Sequence, residues 1–194
     1  MVTVTGYVAK PADEARVMEG LTKLAGVRGV SSRIELLGWP HCEAVELLAP
    51  FKDRNHAQAL GLRVFVIRAD THFVEHEDLV VDVVAPNYDS YLYIDYYQTD
   101  GSVIHLYPGA ADGDKARVLK RSRLTIGRDN RRWKISGPFG QELIVAMASR
   151  EPLFGFARSE IEKAKDYFAA LREKLRERTT KLAADYLFIT TGPR

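Results

Sequence analysis

The stretch from Asp78 to Pro108 constrains the fold most, because it contains three consecutive strand-like runs and no helical pattern. The first run, Asp78–Ala85, alternates apolar residues on one face with a mixed set on the other, which is the period-two pattern of a strand. The run Ser90–Gln98 alternates in the same way, and Asp100–Gly101 predicts a tight hairpin into Val103–Tyr107. This succession is typical of an antiparallel sheet.

Further strand-like runs lie on either side of this stretch. One precedes it at Leu62–Arg68, and three follow it at Arg123–Ile126, Arg132–Ser136 and Glu142–Ala148. With 46% hydrophobic and 28% charged residues among 194, the chain has the composition of a globular protein and not of a disordered one. About seven strands at this spacing predict an Ig-like antiparallel β-sandwich over residues 62–154.

The N-terminal part has a different pattern, in which a helix separates two strands. Val2–Val8 alternates as a strand, Pro11 opens an amphipathic helix at a position that tolerates proline, and a second strand runs from Val30 to Leu37. A short helix follows and is expected to stop at Pro50. The order predicts a β-α-β unit whose two strands are neighbours.

The C-terminal part predicts a long helix and a last strand. Ser159–Glu162 has the sequence of a capping box, from which a helix is expected to run to about Leu182, and Asp185–Thr191 is a strand-like run. The last strand is expected at a sheet edge, with the small N-terminal sheet favoured over the sandwich. The chain is therefore predicted to be an α+β protein with three regions: residues 1–50, 62–154 and 158–194.

The first 37 residues resemble the second half of a BON domain. The matching positions lie in the first strand, at the end of the helix and at the start of the second strand. They are Val4, Gly6, Val8, Gly26, Val27 and Val30. The resemblance implies binding to phospholipid or to a periplasmic partner, although the first strand and helix of that family have no counterpart here. A purely structural role for the β-α-β unit is the alternative.

The region from 62 to 154 resembles a bacterial family of uncharacterised sandwich domains found C-terminal to serine/threonine protein kinases and caspase-like peptidases. Many of the matching positions are turn and core residues. They are Asp78, Val84, Pro86, Tyr91, Leu92, Tyr93, Asp95, Tyr96, Asp100, Gly101, Leu106, Tyr107, Pro108, Leu124, Gly127, Pro138, Phe139, Gly140, Glu142, Ala146, Ala148, Ser149, Pro152 and Leu153. That family has no established activity, and the resemblance implies an accessory domain beside an effector enzyme.

Several function classes are excluded by composition and by missing motifs. The chain has no Gly-rich loop, H-R-D or D-F-G motif of a kinase. Cys42 is its single cysteine, which excludes an internal disulfide and a cysteine-based zinc site, and no cofactor is expected. The net charge of +2 gives no general attraction to nucleic acid. Neither a signal peptide nor an apolar run of about 18–20 residues is present, which leaves bacterial cytoplasm and periplasm open.

The densest run of basic residues follows the central strands and is the candidate ligand-binding site. The residues selected are Arg121, Arg123, Arg128, Arg131, Arg132 and Lys134. With Trp133 among them and Gly127 allowing a tight turn, this surface could bind an acidic or phosphorylated ligand. A solvated hairpin is the alternative. The tyrosines of the central strands offer a second possibility, an exposed platform for a peptide or glycan, although packing in the core is favoured for them.

Two sets of residues could support catalysis, and a structural role is favoured for both. His72 and His76 lie near acidic residues, but an H-x-x-x-H pair needs a helix to converge on one metal, and this segment lies between strands. Asp82, Asp95 and Asp100 could supply a carboxylate pair if the strands that carry the first two are neighbours. A buried aspartate needs a partner, for which Arg63, Arg68 or a tyrosine hydroxyl is expected.

The sequence therefore predicts a non-catalytic accessory, sensory or protein-interaction domain of a bacterial signalling protein such as a serine/threonine kinase. A protein or peptide partner is expected, and nucleic acid is not. Two alternatives stay open: a metal-dependent hydrolase that uses His72 and His76, and binding to a membrane surface through the BON-like unit.

Overall fold

The structure is a computed structural model that describes residues 1–109, 116–128, 132–156, 158–177 and 182–194. Within these ranges the helices are α1 (Pro11–Thr22), α2 (His41–Ala57) and α3 (Ala164–Glu177). The strands are β1 (Val2–Val8), β2 (Val30–Leu36), β3 (Arg63–Phe65), β4 (His72–Val74), β5 (Asp78–Leu79), β6 (Val81–Val84), β7 (Ser90–Tyr97), β8 (Ser102–Tyr107), β9 (Arg117–Val118), β10 (Arg123–Ile126), β11 (Trp133–Lys134), β12 (Gln141–Ser149), β13 (Ile161–Lys163) and β14 (Leu182–Gly192).

A large sheet organises the body of the protein. Among the described residues it contains seven strands in the order β13-β8-β7-β12-β14-β4, with β9 paired to one end of β7. Strand β12 lies in its middle and pairs antiparallel with both β7 and β14. Every residue of β12 except Gln141 is buried, because both faces of this strand are covered. That double burial explains why its sequence is an almost continuous apolar run.

The two faces of the large sheet are covered by different partners. On one face Ile144, Ala146 and Ala148 of β12 join a core that also contains residues of the smaller sheets β10-β6-β3 and β11-β5. On the other face Leu143, Val145 and Met147 pack with residues of α2 and α3. The alternation of side chains along β12 thus connects a β-sandwich to a layer of helices. The predicted α+β sandwich with a C-terminal helix and strand is confirmed.

The predicted hairpin after β7 is confirmed, and it explains one glycine. Strands β7 and β8 pair antiparallel around the turn that contains Asp100 and Gly101. Gly101 has φ +86°, which L-residues with side chains rarely adopt, and a Cβ there would lie 2.3 Å from the ring of Trp39. Both the turn and the packing of Trp39 therefore require glycine at this position.

Helix α2 corrects the expectation that the second helix stops at Pro50. The helix continues through this proline to Ala57. Proline in a helix interior costs about 3 kcal/mol because it removes a hydrogen bond and crowds the preceding turn. Burial of Ala44, Leu48 and Phe51 against the large sheet outweighs that cost.

The C-terminal part also differs from the expectation at two points. Ile161–Lys163 forms strand β13 beside β8, so the predicted capping box does not start the helix, which begins at Ala164. The last strand joins the body: β14 pairs with β12 over nine residues and does not extend the N-terminal sheet. Long-range strand pairing and burial decide both outcomes, and local patterns do not report them.

The predicted N-terminal β-α-β unit is confirmed, and it is the most exposed part of the fold. Strands β1 and β2 run parallel, with Val2 opposite Val30, and α1 contains no buried residue. The ring of Tyr7 lies 4.7 Å from that of Phe188 on β14, which connects the unit to the body. None of the helices in the described ranges has the length and apolarity needed to cross a membrane.

Candidate functional site

A buried cluster of charged residues lies on the helix side of the large sheet, with His105 at its centre. The Nδ1 atom of His105 lies 2.6 Å from Oδ1 of Asp95, and its Nε2 atom lies 2.8 Å from Oε1 of Glu162. Side-chain exposure is 7% for His105, 2% for Asp95 and 14% for Glu162. Each ring nitrogen of this histidine is therefore held by its own carboxylate.

Strand register brings these three residues together from distant parts of the sequence. Asp95 of β7 lies directly opposite His105 of β8, just after a shift in the register of this pair. Side chains directly opposite each other in a sheet share a face. Glu162 arrives from the other side because β13 pairs with β8, where the backbone N–H of His105 donates to the carbonyl of Glu160 at 2.9 Å.

Arg158 and Tyr167 complete the cluster. The guanidinium of Arg158 donates to both carboxylate oxygens of Glu162, with Nε and Nη2 each 2.5 Å from its oxygen acceptor. This two-pronged geometry is the strongest arrangement for an arginine and a carboxylate. The hydroxyl of Tyr167, on α3, donates to Oδ2 of Asp95 at 2.7 Å. We call Asp95, His105, Arg158, Glu162 and Tyr167 the histidine cluster.

The electrostatics of the histidine cluster favour the charged forms of His105, Arg158 and Glu162 and the neutral form of Tyr167. Burial by itself lowers the pKa of His105, but Asp95 and Glu162 outweigh burial and the net pKa is raised. Burial raises the pKa of Glu162, but hydrogen bonds from Arg158 and His105 outweigh it and the net pKa is lowered. Two cations and two carboxylates thus neutralise each other inside the protein. The pKa of Tyr167 is raised well above its usual value, first by burial and then by Asp95.

A cavity of about 300 Å³ opens beside this cluster and is walled mainly by aromatic rings. We call it the aromatic pocket, and its rings are those of Tyr91, Tyr93, Tyr107, Phe154, Phe156 and Tyr167. The guanidinium of Arg158 lies over two of the rings, 4.9 Å from the centroid of Phe154 and 5.4 Å from that of Tyr167. Phe156 is 74% exposed at the rim, so the pocket presents aromatic surface to solvent.

The described wall of the aromatic pocket combines aromatic rings with charged groups that are already paired. Both nitrogens of His105 are engaged by carboxylates, so the ring has no free lone pair with which to act as a general base. The described residues that line the pocket include no serine, threonine, cysteine or lysine to serve as a nucleophile. What the wall offers is flat aromatic surface, which packs on apolar groups and on peptide planes.

The predicted tyrosine platform is therefore divided between core and pocket. Tyr88 and Tyr97 are buried, as expected from packing, and the hydroxyl of Tyr88 donates to the carbonyl of Ala148. Tyr91 and Tyr107 are only partly buried and line the pocket. The sequence pointed to these tyrosines but not to the cavity between them, since its far wall comes from residues after Pro152.

The basic residues predicted to bind a ligand are spread along the smaller sheets. Arg123 pairs with Asp82, with Nη2 3.0 Å from Oδ1. Lys134 and Arg132 lie 3.2 and 3.8 Å from the carboxylate of Asp78.

The other predicted basic residues have different surroundings. Arg128 lines a second cavity of about 220 Å³ that Asp78 also lines. Arg121 occupies a turn with φ +59°. Arg131 lies outside the described residues.

The structure thus places Arg132 and Lys134 beside Asp78 and places Arg128 in the wall of a cavity that this aspartate also lines. Arg121 and Arg123 lie elsewhere. Asp78 and Asp82 already neutralise part of this charge, so an anionic ligand would compete with them. Binding of an acidic ligand by these residues stays a prediction.

The two histidines of the alternative hydrolase occupy different local structures. His72 lies on β4, which pairs with β14, and His76 lies in a turn with φ +70°. Both are exposed. Among the described residues no group of three or more His, Cys, Asp or Glu side chains could hold a metal ion. Nothing in the geometry favours metal-dependent hydrolysis at these histidines.

The sheet topology shows that Asp82 and Asp95 do not form the carboxylate pair considered from the sequence. Asp82 lies on β6 in a smaller sheet and Asp95 on β7 in the large sheet, so their strands are not neighbours. Each has the kind of partner that burial requires. Arg123 and the hydroxyl of Thr125 donate to Asp82, whereas Tyr167 and His105 bind Asp95. The expected tyrosine hydroxyl is confirmed for Asp95, and the arginine is Arg123 in place of the expected Arg63 or Arg68.

Sequence reasoning missed four members of the histidine cluster: His105, Arg158, Glu162 and Tyr167. One signal was available, since a histidine in the middle of the apolar strand β8 needs a buried partner. Glu162 was assigned to a helix start, which concealed its position beside β8.

Comparison with known proteins gives one family and no activity. Residues 77–152 match the model of a family described as "Domain of unknown function (DUF4384)", a span that begins just before β5 and ends just after β12. No curated protein matches the chain. The kinase and peptidase context and the BON-like unit at 1–37 stay predictions. Residues 77–152, which supply β5 to β12 and most of the described residues that line the aromatic pocket, are thus similar to an uncharacterised domain family.

Proposed function

We propose that this chain is a non-enzymatic protein-interaction domain, and that it binds a peptide segment of its partner in the aromatic pocket. The observation that carries the proposal is an open cavity of about 300 Å³ with an aromatic wall, beside charged groups that are already paired with each other. Aromatic residues are enriched where proteins bind proteins, because they bury much area at a small cost in side-chain entropy.

The likeness of the sandwich to domains that follow bacterial serine/threonine kinases and caspase-like peptidases supports an accessory role in a signalling protein. In that role the pocket recruits a substrate, a regulator or another part of the assembly, and the enzyme domain does the chemistry. The paired state of His105 agrees with this division, since a histidine that held a free lone pair would be expected at a site of proton transfer.

A peptide library displayed on phage tests the proposal with the full chain. Peptides enriched on the wild type are then measured against Phe156→Ser and Tyr91→Ala, which remove rings from the pocket. Tyr7→Ala is the matched control, because Tyr7 is a partly exposed aromatic residue that lies outside the pocket. We expect enriched peptides whose affinity falls about tenfold in each pocket variant and stays unchanged in the control, as loss of a stacked ring predicts.

Two outcomes would contradict the proposal. The first is a library without any enriched peptide, and the second is a set of peptides that bind all variants equally well. Hydrolysis of a model ester by the purified chain, abolished by EDTA and by His72→Ala, would replace it with the hydrolase.

A further inference from the structure

We infer that the aromatic pocket is selective for an uncharged, proline-rich segment in the polyproline II conformation. This inference rests on the proposed function and names the chemical class of the peptide. It follows from the charge balance beside the cavity, from the chemistry of its wall and from its size.

The charge balance beside the pocket selects against both kinds of ion. Arg158 and the protonated ring of His105 face the carboxylates of Asp95 and Glu162, so the four side chains sum to zero. The charged side chains that line the described wall of the cavity are Arg158 and His105, and neither Asp95 nor Glu162 is part of that wall. A cation that entered the pocket would be repelled by Arg158 and His105, and an anion would have to compete with the carboxylates that already hold them. Neither could displace an internal partner without leaving a buried charge unpaired. The occupant that fits this environment carries no charge.

The aromatic wall cannot act as a cage for an external cation, because a cation of the protein already occupies its inner part. Arg158 lies over the rings of Phe154 and Tyr167, within the distance of a cation–π contact. The rings that remain accessible near the rim include Tyr91, Tyr107 and the exposed Phe156. Their faces suit the ring of a proline, which is apolar, compact and rigid.

The size and shape of the cavity agree with this class of ligand. A volume of about 300 Å³ holds one or two side chains and not a helix, so the bound segment is expected to be extended. A proline-rich segment is extended before it binds, which reduces the conformational entropy lost in the complex. Grooves lined by aromatic residues use this advantage in the general mode of polyproline recognition.

Fluorescence anisotropy tests the inference with four labelled ten-residue probes: polyproline, a glycine-serine repeat, polylysine and polyglutamate. The full chain is titrated at pH 6.0, where His105 is protonated. We expect saturable binding of polyproline, and at least about tenfold weaker binding of each of the other three. Phe156→Ser and Tyr91→Ala should weaken polyproline binding about tenfold, as loss of a stacked ring predicts. Tyr7→Ala should leave it unchanged.

Equal binding of polyproline and the glycine-serine repeat would overturn the inference, and so would equal binding of polyproline to wild type and both pocket variants. Tighter binding of polylysine or polyglutamate would overturn the argument from charge. Binding of cellohexaose that depends on Phe156 and Tyr91, without binding of polyproline, would assign the pocket to glycans. If the phage library enriches pocket-dependent peptides that lack proline, this inference fails while the proposed function stands. If it enriches none, both fail.

Discussion

Both faces of the large sheet bury acidic side chains. Those on the helix side are paired with cations, whereas, among the described residues, the glutamate on the sandwich side is not. On the helix side Asp95 and Glu162 are held by His105 and Arg158, so both are paired with cations. On the sandwich side Glu142 of β12 is fully buried and accepts a hydrogen bond from the hydroxyl of Tyr96. It forms no ion pair with any residue that the structure describes.

The difference shows in the pKa values of the two glutamates. The pKa of Glu162 is lowered, because hydrogen bonds from Arg158 and His105 outweigh its burial. Burial dominates for Glu142 and raises its pKa to about 7. At neutral pH the helix side therefore keeps paired charges beside the pocket, while the sandwich side holds a carboxyl that is close to half protonated. Keeping a buried carboxylate ionised costs little free energy only where the fold places a cation beside it.

Asp95→Ala is expected to have the largest effect, because it removes one partner from the buried cluster and leaves Nδ1 of His105 and the hydroxyl of Tyr167 without their hydrogen-bond acceptor. Breaking a buried ion pair in this way costs about 3–5 kcal/mol of the free energy of unfolding. Urea denaturation at pH 6.0 measures the loss. The matched control is Asp53→Ala at an exposed position of α2, for which a change within about 0.5 kcal/mol is expected. Equal effects of the two substitutions would show that the cluster does not stabilise the fold.

Glu142→Gln is expected to stabilise the protein at high pH and to have little effect at low pH. The pKa of Glu142 is about 7 in the folded protein and about 4.5 in the unfolded chain. The stabilisation that the protonated carboxyl gives the folded state is therefore complete below about pH 4.5. It is lost as the pH rises from there to about 7, because the unfolded chain ionises first. At pH 8 the substitution should therefore add about 3 kcal/mol to the free energy of unfolding. Urea denaturation at pH 4.5 and pH 8 tests this, and equal effects at both would refute the raised pKa.

His105→Gln tests the ion pairs on the helix side through the pH dependence of the free energy of unfolding. Because the folded pKa of His105 is raised, its charge stabilises the fold fully below the usual value of 6.5. That contribution is lost as the pH rises through the higher folded pKa. Measured in the Glu142→Gln background, which removes the titration on the sandwich side, stability should fall between pH 6 and 9 and fall less after His105→Gln. Parallel pH profiles for the two proteins would contradict the pairing of His105.

Phe156→Ser is expected to have the smallest effect on stability, because this side chain is exposed at the rim of the pocket. A change within about 0.5 kcal/mol in the free energy of unfolding is expected. The same variant should lose peptide binding, so stability and binding separate at this residue. A large loss of stability would mean that Phe156 is a packing residue and that the binding results need another variant.

The architecture could largely be predicted, because local patterns report it. The alternation in β7, the Asp–Gly turn after it and the apolar run of β12 each follow from the neighbours of a residue in sequence. Three errors have a common cause. The helix through Pro50, the strand at Ile161–Lys163 and the place of the last strand are all decided by contacts with distant residues.

The sequence by itself determined that this chain is an α+β protein built on an antiparallel sandwich, since hydrophobic periodicity and turn residues act over a few positions. Only the tertiary structure decided where its charges and tyrosines meet. The register of β7, β8 and β13 places Asp95, His105 and Glu162 in one buried row, and residues after Pro152 close the pocket beside it. Pairing between strands far apart in sequence is set by burial over the whole sheet, which a single segment does not encode.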